Sequence, residues 1–253
     1  MNAVEERLKE ENFEMSHMYH ENIKSLNAFV GCLHDCVYCK PSFQRLCKRS
    51  KCPNHKTYTP HFHRERLLKA PPKTSGNEFV FFPSCGELSF ATPEQILAHI
   101  DYAKKYPNTV FLTQAKNPKF FLDYKFPDNV ILGTTIETNR TVFSTPSKYH
   151  YYNEISKAPE PRERYKFMLS FFHPVKLVTV EPVLKFNLLI MIDWMNTLLG
   201  TTKRLIIYVG YDNHNCYLPE PKLNETLDLV RVLKDHGFDV RTKNVERKAW
   251  YEK

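Results

Sequence analysis

Seven short apolar runs recur along the chain, and each is separated from the next by a segment of different periodicity or polarity. The runs are NIKSLNAFV (22–30), NEFVFFP (77–83), NTVFLTQ (108–114), NVILGTTIE (129–137), VKLVTVEPV (175–183), RLIIYVG (204–210) and FDVRTK (238–243). They are rich in Val, Ile, Phe and Thr and read as strands. Between them lie helical patterns at TPEQILAHIDYAKKY (92–106), NPKFFLDY (117–124), PRERYKFMLSFF (161–172), NLLIMIDWMNTLL (187–199) and KLNETLDLVRVLKDHG (222–237). Thr92 before Pro93 and Glu94 marks a helix start, and Gly237 marks a stop. Strands alternating with helices imply right-handed βαβ crossovers and a mainly parallel sheet. The expected fold is therefore α/β, a partial or near-complete parallel (β/α) barrel of about six core strands, with the run at 238–243 as a seventh. One domain over 1–253 is expected, with a polar N-terminal extension at 1–21 and a long insertion at 40–76 between the first two strands. Insertions of that length are often functional. The stretch PPKTSGN (71–77) reads as a loop within the domain.

Composition narrows the class. With 253 residues, 42% of them apolar, the chain can build a proper core. Its start, MNAVEERLKEEN, has no apolar core of signal-peptide type, and Asp193 interrupts the most apolar stretch, NLLIMIDWM. A cytoplasmic protein with no membrane span is the expectation. The net charge of +8 is concentrated: residues 40–69 hold nine Lys or Arg and one Glu. Such a segment attracts anions, nucleic acid included, or is simply a solvated loop. Tyr149, Tyr151 and Tyr152 likewise offer stacking surfaces for bases or packing at a rim.

Cysteine usage gives the sharpest signal. The chain has seven cysteines, three of them in GCLHDCVYC (31–39) directly after the first strand run. An odd count and such tight spacing argue for reduced thiols in metal binding or catalysis. Cys32, Cys36 and Cys39 form CxxxCxxC, which can ligate three irons of a [4Fe–4S] cluster and leave the fourth without a protein ligand. A competing reading gathers Cys36, Cys39, Cys47 and Cys52 around zinc and makes the protein a nucleic-acid or partner-binding module. It leaves Cys32 unused. A further reading keeps both centres, with Cys47 and Cys52, joined by His55, His61 or His63, forming a separate zinc or auxiliary site. A redox pair at Cys36 and Cys39 is a last alternative. No role follows from the sequence for Cys85 or Cys216.

With Tyr38 before its last cysteine and a strand before its first, the motif resembles that of the radical S-adenosylmethionine superfamily. The resemblance implies that S-adenosylmethionine chelates the open iron and that an electron donor reduces the cluster. Cleavage of the sulfonium then gives a 5′-deoxyadenosyl radical that abstracts hydrogen from a substrate. It also implies roles at the strand ends. CGE (85–87) stands where a Gly-Gly-Glu-like motif receives the amino group of S-adenosylmethionine, with Cys85 replacing the first glycine, so Gly86 and Glu87 are expected there. Thr134, Thr135, Glu137 and Asn139 are candidates for the ribose and methionine carboxylate, and Gly210 and Asn213 for the adenine. Glu181, a charge within an apolar run, needs a partner or a ligand. Candidate catalytic residues are Glu181, Lys243 at the end of the last strand, and Arg66 in HFHRERL, where His63 and Arg66 face substrate or tie the insertion to the barrel.

From residue 25 to 245 the order of motifs resembles the uncharacterised phage-type radical S-adenosylmethionine family, often encoded beside a three-Cys-motif partner. The motifs are GC…CxYC, HFHRERL, TVFLTQAKNPKFF, NVILGTTIETN, VKLVTVEPVL and IIYVGYDN. The Cys47/Cys52 segment and the YDN sequence depart from that family's pattern. The implied partners are S-adenosylmethionine, an electron donor, and either nucleic acid or a three-Cys-motif protein.

Overall fold

All seven apolar runs contribute a strand to one sheet in the computed structural model, which describes residues 19–144, 149–247 and 249–252. The strands are β1 (Asn22–Ser25), β2 (Phe79–Phe81), β3 (Phe111–Gln114), β4 (Val130–Thr135), β5 (Val175–Val180), β6 (Arg204–Gly210) and β7 (Asp239–Lys243). Sheet order equals chain order, and every neighbouring pair is parallel. Each crossover therefore moves one strand in the same direction, and the sheet curls into a half-barrel whose C-terminal strand ends share one rim.

Both faces of the sheet are covered, which is why its strands are nearly continuous apolar runs. Successive residues alternate between two clusters. Phe79, Phe81, Leu112, Ile131, Leu177, Ile206 and Tyr208 point into the concave side. Val80, Phe111, Val130, Leu132, Val178, Val180, Ile207 and Val209 face the helices. Those helices are α1 (Pro93–Lys105), α2 (Pro161–Leu169), α3 (Leu188–Leu199) and α4 (Leu223–Asp235). A capping box opens α1, with Thr92 Oγ1 accepting from Gln95 N at 3.4 Å and Gln95 Oε1 accepting from Thr92 N at 3.1 Å. Gly237, at φ +81°, follows α4. No helix among the described residues is long and apolar enough to cross a membrane.

Three expectations need correction. Residues 117–124 hold a 3₁₀ turn, Pro118–Asp123, opened by Asn117, whose side chain makes no capping hydrogen bond. The chain at 19–21, expected to be a polar extension, is packed in part: Tyr19 is fully buried in the concave cluster, sharing a 2.7 Å hydrogen bond with Thr179 Oγ1. Glu21 pairs with Arg241 at 2.7 Å.

The first apolar run, finally, is two strands. After β1 the Asn27 side chain accepts from the backbone N–H groups of Ser84 at 2.8 Å and Cys85 at 2.9 Å, drawing the chain out of the sheet. Phe29–Val30 then pairs antiparallel with His61–Phe62 of the insertion. Directly after Val30 comes Gly31, at φ +102°, where an added Cβ would lie 2.5 Å from the Thr59 carbonyl. Gly31→Ala is expected to destabilise the fold by about 2–4 kcal/mol, read as a lower urea midpoint at unchanged slope.

Candidate functional site

Two loops at the rim are joined through their glycines. Gly31 N donates to Cys85 O at 3.0 Å, Glu87 N donates to Gly31 O at 3.1 Å, and Gly31 and Gly86 form a parallel bridge. A Cβ on Gly86 would meet Phe29 O at 2.6 Å, so this close approach requires glycine. The loop carrying Cys32, Cys36 and Cys39 thus leaves the sheet locked to the CGE loop.

The three thiols line a cavity of about 410 Å³ at the C-terminal strand ends, together with Tyr38, Cys85, Gly86, Glu87, Lys116, Thr135, Glu181, Asn213 and Lys243. Its walls come from both sides of the curled sheet, since the cysteine loop follows β1 while Glu181 and Lys243 follow β5 and end β7. Cys36 is buried, with Sγ 3.0 Å from Ser156 Oγ. A hydrogen bond between Cys39 and Cys36 lowers the Cys36 pKa and raises that of Cys39, while burial raises Cys32.

Glu181 is the least buried of the carboxylates that line the cavity. Burial pushes it up to about 7, although Lys243 Nζ, 3.4 Å from Oε1, pulls the other way. Its Oε2 is buried and has no hydrogen-bond partner. A Cβ on Gly210 would sit 3.1 Å from Glu181 Cδ and 2.9 Å from Lys243 O, so glycine leaves room for this pair. Glu87 is also buried, which raises its pKa. Its Oε2 accepts from Lys116 N at 2.8 Å, fixing the carboxylate at the cavity wall.

Glu137 is not at the cavity surface, contrary to its candidacy as a ligand-binding residue. It is fully buried behind Tyr38, which donates to Oε1 at 2.5 Å. Arg164 Nη1 reaches Oε2 at 2.8 Å, the Tyr152 hydroxyl lies 3.2 Å from both oxygens, and Lys116 Nζ pairs with Oε1. Burial opposes its charge, yet Arg164 and Lys116 outweigh that and hold the carboxyl well below its usual range. Glu137 therefore positions Lys116 and Tyr38, which do line the cavity.

Other candidates separate in the same way. Arg66 does not line the cavity and donates from Nη1 to Asn27 O at 2.6 Å, which ties the insertion to the chain after β1. Thr134 donates to Ala115 O at 2.7 Å, and Asn139 exchanges bonds with the Asn187 backbone at 2.7 and 2.8 Å at the start of α3. Tyr152 is committed to the Glu137 network, and the Tyr149 side chain lies outside the described residues. The four cysteines of the zinc alternative do not converge. Cys36 and Cys39 line the cavity, Cys47 shares a hydrogen bond with Cys85, and Cys52 meets His61 at 3.8 Å. Lys116 and Arg164 were not anticipated from the sequence. The only hint of Lys116 is its place two residues beyond β3, in TQAKNP.

No protein-family model matches the chain, and no curated protein matches it.

Proposed function

We propose that this protein is an enzyme of the radical S-adenosylmethionine type, with Cys32, Cys36 and Cys39 holding a [4Fe–4S] cluster. One observation carries the reading: three thiols of one loop and an unpartnered buried carboxylate oxygen from the other half of the sheet line the same cavity. The donor set fits. Three thiolates leave one iron open, and a cavity of about 410 Å³ has the size of a cofactor site. When bound, the cluster supplies the electron that reductively cleaves S-adenosylmethionine.

The chain's own residues divide the remaining work. Gly86 lets the CGE loop pack against Phe29 at the cavity wall, and Glu87, aimed by the Lys116 and Asn117 amides, offers a carboxylate to an ammonium group. Glu181 Oε2 accepts from a second donor of the ligand, and Lys243 offers a cation to its anionic end. Tyr38 stands between the thiols and the Glu137 network and, with Lys116, limits water at that wall. Arg45 lines the cavity mouth, and exposed Lys48, Arg49, Lys51 and Lys56 continue the same insertion, which favours an anionic substrate such as a nucleotide or nucleic acid. Binding of an oligonucleotide should then weaken steeply as salt rises, and no binding at low salt would remove this substrate class.

Anaerobic purification and iron–sulfide reconstitution test the main proposal. The wild type is expected to bind about four irons per chain and to form 5′-deoxyadenosine only with reductant, and Cys36→Ala to lose both. A wild type that stays colourless and makes no 5′-deoxyadenosine sinks the reading.

A further inference from the structure

The insertion contains a second convergence of metal-binding side chains, apart from the cavity. Cys52 precedes the short helix Pro53–Thr57, His55 lies within it, His61 opens the strand His61–Phe62, and His63 directly follows that strand. One donor atom from each of the four lies within 4.8 Å of all the others. Cys52 Sγ is 3.8 Å from His61 Nε2, which is 3.0 Å from His55 Nδ1. A tetrahedral zinc ion at about 2.0–2.1 Å from nitrogen and about 2.3 Å from sulfur needs donor–donor edges of about 3.3–3.6 Å. Shifts of a few tenths of an ångström bring these two pairs to that geometry.

The outer nitrogens are already engaged. His61 Nδ1 lies 2.7 Å from Thr59 O, and His63 Nδ1 lies 3.0 Å from Glu65 Oε1. Each N–H donating outward leaves the Nε2 lone pair directed at the cluster, as in carboxylate–histidine–metal arrangements. His63 Nε2 is buried and has no hydrogen-bond partner. Hydrogen bonding among the four side chains therefore accounts for only part of the convergence.

We propose that Cys52, His55, His61 and His63 bind one zinc ion as a structural site. One thiolate and three imidazoles suit zinc, and four protein ligands close the coordination shell, which is the pattern of a structural centre. The ion joins the helix at 53–57 to the strand that pairs with Phe29–Val30, immediately before the cysteine loop. Tyr58, between His55 and His61, lines the cavity, so the site fixes one wall of the active centre while remaining outside it.

The test is metal analysis of the full-length protein, purified without chelator, with X-ray absorption at the zinc edge. About one zinc per chain with one sulfur and three nitrogen neighbours is expected. Cys32→Ala should keep the zinc, whereas Cys52→Ser and His63→Gln should each lose most of it. The zinc content of Cys32→Ala separates this site from the proposed cluster, whichever way the iron result falls. Zinc well below one per chain after growth with added zinc, a sulfur-only shell, or full zinc in both ligand variants would overturn the proposal. Should a variant fail to fold, the absorption spectrum of the wild type still decides.

Discussion

Glu137→Gln is expected to lower the unfolding free energy by about 3–5 kcal/mol, because it removes the one anion between two buried cations. Arg164 is fully buried, and Lys116 is nearly so, with its side chain 13% exposed. The glutamine keeps the shape and some hydrogen bonding of the carboxylate, so its loss reports charge rather than volume. The pH dependence has a definite sign. A carboxyl whose native pKa is depressed adds stability that is fully present above its unfolded value of about 4.3 and fades as pH falls below it. Wild type should therefore lose stability from about pH 5 downward, and the variant, lacking that group, should lose less. Denaturant unfolding at neutral pH and at pH 4 measures both effects. A difference under about 1 kcal/mol at neutral pH would mean that Arg164 and Lys116 find other partners.

How far this site was legible depends on where the information lies. The strands were readable because both sheet faces are buried, so Val178, Thr179 and Val180 all belong to an apolar run. The three cysteines were readable from their spacing, from Tyr38 before the last of them and from the strand run before the first. Arg164 was not, since in PRERYKFML it stands among Arg162, Glu163 and Lys166 and looks like one more residue of a solvated helix face. Only the packing of α2 against the strand ends buries that position and leaves the others out. The break within residues 22–30 was hidden for a similar reason, because Asn27 acts through backbone groups more than fifty positions away. Cys52 and the histidines were visible as candidates, but their grouping depends on the antiparallel pairing of His61–Phe62 with Phe29–Val30.

Glu181→Gln should move stability and ligand binding in opposite directions. The groups facing this carboxyl are Lys243 from β7, Asp212 beyond β6 and Tyr19 from the N-terminal segment. Burial dominates and raises its pKa to about 7. Native protein therefore keeps a proton that the unfolded chain has lost, and stability contributed by this group falls as pH rises from about 4.3 to 7, then levels off. Glutamine removes that fall, so at pH 8 the variant should be more stable than wild type by about 1–3 kcal/mol. Binding should show the reverse. If Oε2 accepts from the cationic part of S-adenosylmethionine, ionised Glu181 is the competent form, wild-type affinity rises through pH 7, and the variant binds about 10–100-fold more weakly without that pH dependence. Calorimetry on anaerobically reconstituted protein, paired with denaturant unfolding, measures both quantities. A purely structural Glu181 would leave affinity unchanged, so equal binding by the variant would remove this residue from the ligand site, whereas greater stability with weaker binding is the signature of a group kept at an energetic cost for its ligand.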